Sequence, residues 1–280
     1  GYVQLYNHLL QIDEYTGYYF EVAGTDKKMK RPEEKINIPS IDQSIIDAAK
    51  ENIAKVPEMK ELDNTSRDLL PVLSEMKTLT DQMTAYYGDG NYFKNKTLRE
   101  EMHVNFLEIT KKYRILSKKF KEAFSNRSKE QKRKFAEKVK KEGKLIEYDL
   151  MTFIDSCEEI LDEIQREKIS AENLTDADLA KFKELEAKMT ASMDKLKNSA
   201  ENQEMLKKEH YHSSDFTSFI LYTERFKEAM TKFISRVENK EKLDSKLLQN
   251  NPSLKNESGT PENVFHEYNE LIKEYNKIAK

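Results

Sequence analysis

The chain has 280 residues, of which 37% are hydrophobic and 35% charged, and its net charge of -3 indicates no general attraction to nucleic acid or membranes. Its 14 tyrosines and 13 phenylalanines exclude a disordered chain, and its single cysteine, Cys157, excludes an internal disulfide. Seven glycines and six prolines argue against a β-rich fold, and no apolar run approaches the length of about 18 residues that spans a membrane.

Apolar residues recur at intervals of three and four in the N-terminal part of the chain, which predicts helices. Ser40 and Gln43 form a capping box that begins a predicted helix ending near Val56. Another helix is predicted from about Thr65 to Tyr87. The first predicted helix has one apolar face, formed by Tyr2, Leu5, Leu9, Ile12 and Tyr19.

The middle of the chain has near-heptad apolar stripes, typical of helices that pack at shallow angles. The first ends at 125–127, where Ser-Asn-Arg predicts a break, and Ser128 with Gln131 predicts a new helix that reaches about Arg166 and bends at Gly143. The two stripes are Leu98, Met102, Phe106, Ile109, Tyr113, Leu116 and Phe120, and then Ile146, Leu150, Phe153, Cys157, Ile160 and Ile164.

Three more helices are predicted in the C-terminal part. Thr175 and Asp178 begin the first, a stripe from Phe219 to Val237 forms the second, and Thr260 followed by Pro261 begins the last. We therefore predict an all-α fold: an elongated bundle of about seven or eight mostly antiparallel helices with coiled-coil-like packing. No linker divides the chain, so one domain is predicted over residues 1–280.

Two Glu-x-x-His motifs are the candidate metal ligands. Glu100 with His103, and Glu209 with His212, each have the spacing that di-metal sites in helical bundles use. The second motif falls in a predicted helix break, and 51 acidic residues make chance matches common. We expect surface or structural roles for all four residues, and neither a metal nor a cofactor.

Catalytic motifs are not apparent in the sequence. Cys157 occupies a core position of its stripe, where a thiol is buried and inert. Gly88 and Gly90 do not form a phosphate-binding loop of any known pattern. We therefore expect a protein that is not an enzyme.

Charge is segregated along the chain. Residues 111–144 contain 15 Lys or Arg and 4 Glu, whereas residues 147–178 contain 11 acids and 2 bases. The basic segment is either a surface for an anionic partner or the match of the acidic segment on a neighbouring helix. The candidate binding surface comprises Lys132, Arg133 and Lys134, together with the tyrosines Tyr86, Tyr87 and Tyr92. Tyrosines more often cover the core of a bundle with the hydroxyl reaching solvent, and we favour that role over a binding surface.

Scattered aromatic and Tyr-Asn positions carry a family resemblance. Tyr6-Asn7 lies near the start, Tyr268-Asn269 and Tyr275-Asn276 lie near the end, and Tyr86-Tyr87-Gly88 lies between them. This order resembles the YiiG-like family of bacterial lipoproteins, whose function is unknown. The resemblance implies an extracytoplasmic protein that a lipid anchors to the membrane, although this chain shows neither a signal peptide nor a lipidation cysteine. It implies no catalytic residue.

Three functions remain open. The first is a non-enzymatic extracytoplasmic binding module that recognises a protein or an anionic envelope polymer. The second is a helical bundle that binds a small ligand or a metal in a cavity lined by Tyr and His. The third is a cytosolic coiled-coil scaffold or a nucleic-acid binder, but the aromatic side chains of the basic segment belong to the core stripe and cannot stack on bases, so we expect nucleic acid least.

Overall fold

A computed structural model describes residues 1–31, 36–88, 95–249 and 251–279, which form ten α-helices and no strand. The predicted all-α bundle is confirmed. Eight helices have 11 or more residues, in agreement with the predicted number, and the two others are short. The helices are α1 (Tyr2–Ala23), α2 (Gln43–Ile53), α3 (Lys60–Gly88), α4 (Lys96–Lys141), α5 (Leu145–Arg166), α6 (Leu179–Glu201), α7 (Gln203–Glu209), α8 (Asp215–Glu238), α9 (Ser245–Gln249) and α10 (Pro261–Ile278).

The chain divides into two compact units, unit 1 (Gly1–Gln131) and unit 2 (Lys132–Lys280). Each unit has its own hydrophobic core. The boundary falls inside helix α4 and not at a linker. The single domain expected over residues 1–280 stays a prediction.

Unit 1 packs α1, α2, α3 and the unit 1 part of α4 around a core rich in aromatic side chains. The phenol of Tyr113 donates to the backbone oxygen of Leu9 at 3.1 Å and lies 2.9 Å from Asp13 Oδ1, which fixes α4 against α1. Tyr6 stacks on Phe124 with ring centroids 4.6 Å apart. The apolar face predicted for the first helix is therefore buried against α4.

Unit 2 packs α5, α6, α8 and α10 side by side. The stripe predicted from Ile146 to Ile164 is buried along its whole length, Cys157 included. Phe182 of α6 meets Phe233 of α8 edge to face, with ring centroids 5.1 Å apart. Because α5 packs on α6 and α10 packs on α8, this contact lies between the two helix pairs.

Helix α4 differs from its prediction because it continues through residues 125–128 for a total of 46 residues. Ser128 lies inside the helix and does not cap a new one. A capping side chain contributes only about 1 kcal/mol, and Ala123 and Ala136 are buried on either side of the predicted break, so packing decides the outcome. Gly143, at φ +73°, ends the helix in a Schellman motif in place of the predicted bend.

Candidate ligand cleft

A cleft of about 480 Å³ opens in unit 2 between helices α5 and α10. This volume lies within the range of about 300–1,000 Å³ that is typical of small-molecule sites. Its lining is largely apolar, with polar groups at a few positions. It is formed by Lys132, Phe135, Glu147, Leu150, Met151, Ile154, Asp155, Glu158, Tyr211, Tyr268, Asn269, Ile272, Tyr275, Asn276 and Ala279.

Helix α5 supplies the acidic wall of the cleft. Residues three or four apart lie on one helix face, so Met151, Ile154, Asp155 and Glu158 line the cleft together. The residues of the predicted stripe are buried in the core along the adjacent face, and one of them, Leu150, also lines the cleft. One helix therefore anchors the unit and presents three carboxylates to the cleft, those of Glu147, Asp155 and Glu158.

Helix α10 supplies the aromatic wall. Its start is fixed as predicted, because the hydroxyl of Thr260 accepts the N–H of Asn263 at 3.0 Å and Pro261 is the first helical residue. Tyr268 and Tyr275 lie two turns apart on the cleft side. Their rings also touch α8, which restricts their movement: the ring centroids of Tyr268 and Phe226 are 6.0 Å apart, and those of Tyr275 and Phe219 are 6.4 Å apart.

Glu158 joins the two walls through hydrogen bonds. Lys132 Nζ lies 2.5 Å from Glu158 Oε2, and the phenol of Tyr268 donates to Glu158 Oε1 at 3.1 Å. Burial raises the pKa of Tyr268, and the negative charge of Glu158 raises it further, so this phenol stays neutral and donates. The carboxylate of Glu158 is thus occupied on both oxygens by α4 and α10.

Asp155 differs from Glu158 because its carboxylate is not paired with any described side chain. It is partly buried and makes no hydrogen bond or ion pair with any residue in the described part of the chain. Burial raises the pKa of Asp155 above its ordinary value, opposed by the more distant charge of Lys132. A ligand that donates a hydrogen bond to a partly buried carboxylate without a protein partner is stabilised by that contact.

Two further tyrosines line the cleft as neutral phenols. Burial raises the pKa of Tyr211 to about 12, with Glu147 as the next cause. Burial also raises the pKa of Tyr275, and Asp155 is the next cause. At neutral pH the cleft therefore offers uncharged aromatic rings beside three carboxylates, those of Glu147, Asp155 and Glu158, and one ammonium group.

The first predicted metal motif has a structural role in unit 1. His103 is fully buried, and its Nε2 donates to the backbone oxygen of Asp26 at 2.8 Å. Since a carbonyl can only accept, the neutral ring leaves Nδ1 to accept the hydroxyl of Tyr19, also at 2.8 Å. Glu100 lies 3.9 Å from Lys96 and is partly exposed. Both nitrogens of the candidate ligand His103 are thus occupied by protein groups.

The second predicted metal motif lies in unit 2 and also has structural contacts. The two carboxylate oxygens of Glu209 accept the backbone N–H groups of Ile146 and Glu147, at 3.0 and 3.1 Å. The side chain of His212 is exposed, and its backbone N–H donates to Asp215. In the described part of the chain no group of three or more His, Cys, Asp or Glu side chains is arranged to hold a metal ion.

The three basic residues of the predicted binding surface lie on two different faces of α4. Lys132 lines the cleft and pairs with Glu158 of the acidic segment, and Lys140 Nζ lies 4.7 Å from the ring centroid of Tyr148 on α5. Arg133 and Lys134 are exposed on another face of α4. Within unit 2, the ion pair of Lys132 with Glu158 therefore joins the basic segment to the acidic helix, and the binding surface at Arg133 and Lys134 stays a prediction.

The predicted tyrosine surface needs correction. Tyr86 and Tyr87 are buried in the core of unit 1, and the hydroxyl of Tyr86 donates to the backbone oxygen of Asn95 at 2.7 Å. Their rings meet edge to face, with centroids 5.3 Å apart. Neither side chain is therefore part of an exposed surface. Tyr92 lies outside the described residues.

Sequence reasoning assigned no site role to Asp155, Glu158, Tyr268 or Tyr275. A signal for two of them was present, because the Tyr-Asn pairs at 268–269 and 275–276 are seven residues apart and therefore lie on one face of α10. The carboxylates could not be distinguished from the other acids of α5. Only the packing of α10 against α5 shows which of them face the cleft.

Comparison with known proteins shows to which family the chain belongs. Among the described residues, no helix has both the length and the apolar character needed to cross a membrane. No curated protein and no solved structure matches the chain. A family model described as "Protein of unknown function (DUF3829)" matches residues 1–277, which is nearly the whole chain. The chain belongs to this DUF3829 family of proteins of unknown function.

Proposed function

We propose that this chain is a non-enzymatic binding module and that the cleft between α5 and α10 is its ligand site. The observation that supports the proposal is the combination of a largely apolar cleft of about 480 Å³ with a partly buried carboxylate, Asp155, that has no hydrogen-bond partner among the described residues. Small-molecule sites typically combine an apolar lining with a few polar groups that fix the ligand's orientation.

A thermal-shift screen with a library of small molecules tests this proposal. Asn276 is exposed at the rim, so Asn276→Trp narrows the entrance without filling the core. Compounds that bind in the cleft raise the melting temperature of the wild type and not that of Asn276→Trp. Leu221→Trp, at an exposed position of α8 outside the cleft lining, is the control and keeps the response. Compounds that act equally on all three proteins would place the ligand site elsewhere.

The proposed location is the cell envelope, with the full-length protein held to the membrane by a lipid. Its support is the resemblance to the YiiG-like lipoproteins that the Tyr-Asn positions carry. Fractionation of cells that express the full-length gene, combined with metabolic labelling by a fatty-acid analogue, tests the location. Recovery of an unlabelled protein from the cytosol would overturn it.

A second candidate function is the binding of an anionic envelope polymer by α4. Arg133, Lys134, Lys138 and Lys141 line a shallow depression together with Glu137 and Glu142, which leaves an excess of two positive charges. Reversal of charge at Arg133 and Lys134 reduces retention on immobilised teichoic acid and reduces its salt dependence. Equal loss of retention on DNA would indicate a general polyanion surface, with no preference for the envelope polymer.

A further inference from the structure

We infer that the ligand of the cleft is a small organic cation, in which an amine or ammonium group is joined to an apolar body. This inference rests on the proposed function of the cleft and names its ligand class. Three features of the lining carry it: an excess of negative charge, neutral aromatic rings near the unpaired carboxylate, and apolar side chains beside them.

The net charge of the residues that line the cleft determines whether a cation or an anion binds there. Three carboxylates and one ammonium group line the cleft, so its net charge is -2 when all are ionised. Lys132 is committed to Glu158 at 2.5 Å, and Glu147 is contacted by Lys144 at 3.2 Å. Asp155, in contrast, makes no ion pair with any residue in the described part of the chain. An anionic ligand would be repelled here, whereas a cation would supply the absent partner.

The aromatic rings select an organic cation over a hydrated metal ion. Tyr268 and Tyr275 of α10 line the same cleft as Asp155 of α5. A cation beside Asp155 is therefore also near two neutral aromatic rings. The faces of tyrosine rings attract alkylammonium groups, and more strongly where water is partly excluded.

The apolar side chains of the cleft can contact the apolar body of the ligand. Leu150 and Ile154 of α5 and Ile272 of α10 line the cleft. Phe135 of α4 also lines it, and 51% of the surface of this residue is exposed. An exposed phenylalanine next to an apolar cleft gains when a ligand covers it. The amides of Asn269 and Asn276 are exposed at the rim, where they can bond a polar end of the ligand.

Three probes of nearly equal shape test the inference by isothermal titration calorimetry at pH 7.5: 2-phenylethylammonium, the neutral 2-phenylethanol and the anionic 3-phenylpropionate. We expect the cation to bind at least about tenfold more tightly than the alcohol, because a charge-assisted hydrogen bond and a cation–π contact are added. The anion binds more weakly than the alcohol.

Asp155→Asn is the decisive variant because asparagine keeps the shape and removes the charge. It weakens cation binding at least about tenfold and leaves alcohol binding within about twofold. Asp162→Asn removes an exposed carboxylate of the same helix outside the cleft lining and preserves both affinities. In the wild type the affinity for the cation rises with pH as Asp155 ionises, whereas Asp155→Asn shows no such rise.

The outcomes separate this inference from the proposed function. Equal affinity for cation and alcohol, or unchanged cation binding in Asp155→Asn, overturns the organic cation. If Asn276→Trp still abolishes binding of neutral or anionic library compounds, the cleft is a ligand site and only its ligand class is wrong. If neither the probes nor the library bind, the inference and the proposed function both fail.

Discussion

The carboxylate of Glu209 accepts the backbone N–H of Ile146 at 3.0 Å, so a residue at the end of α7 caps the beginning of α5. Its second oxygen accepts the next N–H, that of Glu147. The N-terminal amides of a helix lack partners within the helix and carry a partial positive charge, so an anion there stabilises the helix. We expect Glu209→Ala to lower the free energy of unfolding by about 1–2 kcal/mol, measured by urea denaturation.

Glu201→Ala is the matched control for this cap, because Glu201 is exposed at the end of α6 and makes no comparable contact among the described residues. Its effect stays within about 0.5 kcal/mol. Treatment with a chelator leaves the stability of the wild type unchanged. If chelation reproduced the loss seen in Glu209→Ala, the carboxylate would act as a metal ligand and the capping role would be wrong.

The buried imidazole of His103 makes unit 1 sensitive to acid. Burial lowers the pKa of His103 below its ordinary value of 6.5, so the folded chain binds the proton less readily than the unfolded chain. The stability from neutral His103 is therefore complete above pH 6.5 and is lost as pH falls from there toward the folded pKa. Urea denaturation at pH 7.5 and 5.5 measures this loss.

Removal of the imidazole tests its two hydrogen bonds. In His103→Leu the hydroxyl of Tyr19 and the carbonyl of Asp26 lose their partner, which costs about 1–3 kcal/mol at neutral pH. The same variant shows a smaller loss between pH 7.5 and 5.5 than the wild type. Replacement of the exposed His212 by leucine changes stability by no more than about 0.5 kcal/mol. An undiminished acid sensitivity in His103→Leu would show that other groups cause it.

The helices were predictable because their signal is periodic and local. Thr260 and Pro261 begin α10 as predicted. Helix α6 begins later than predicted, because Thr175 lies in a 3-10 turn and Asp178 is the residue that caps α6, by accepting the N–H of Lys181. The exceptions are single-residue signals that tertiary packing overrides. Ser128 lies within α4, and Asp42, in place of Ser40, caps α2 by accepting the N–H of Ser44. A cap is worth about 1 kcal/mol, so packing on either side can move or erase it.

The site was less predictable than the fold because it depends on contacts between residues distant in sequence. Tyr268 and Glu158 are separated by 110 positions, and no periodicity indicates that their side chains meet. Tyr86 and Tyr87 were candidates for a binding surface because tyrosine is common in recognition surfaces, and they lie in the core instead. Burial of a tyrosine depends on which helix covers it, and that information is absent from the local sequence.

Replacement by alanine should change stability in opposite directions at two glycines, because their surroundings differ. Gly259 has φ +79°, and a Cβ there would lie 2.9 Å from the backbone oxygen of Lys232 on α8. Gly259→Ala therefore lowers stability by at least about 1–2 kcal/mol and disturbs the start of α10. Gly17 lies inside α1 with nothing within 4 Å of a Cβ, so Gly17→Ala raises stability by about 0.5–1 kcal/mol. Thermal unfolding compares them, and effects of the same sign would contradict this account.

The carboxylate of Asp155, which we propose binds the ligand, should lower the stability of the protein when no ligand is bound. Burial raises the pKa of Asp155 above the ordinary value of 3.8, so the folded state holds this proton more firmly than the unfolded state. Stability therefore falls as pH rises from 3.8 through the folded pKa, and the ionised carboxylate weakens the fold at neutral pH. We expect Asp155→Asn to raise the melting temperature at pH 7.5 and to abolish this part of the pH dependence. Differential scanning calorimetry from pH 4 to pH 7.5 measures both effects, with Asp194→Asn, at an exposed position of α6, as the control that leaves them unchanged. A lower melting temperature in Asp155→Asn would mean that the charge stabilises the folded protein, which would contradict the unpaired state of this carboxylate.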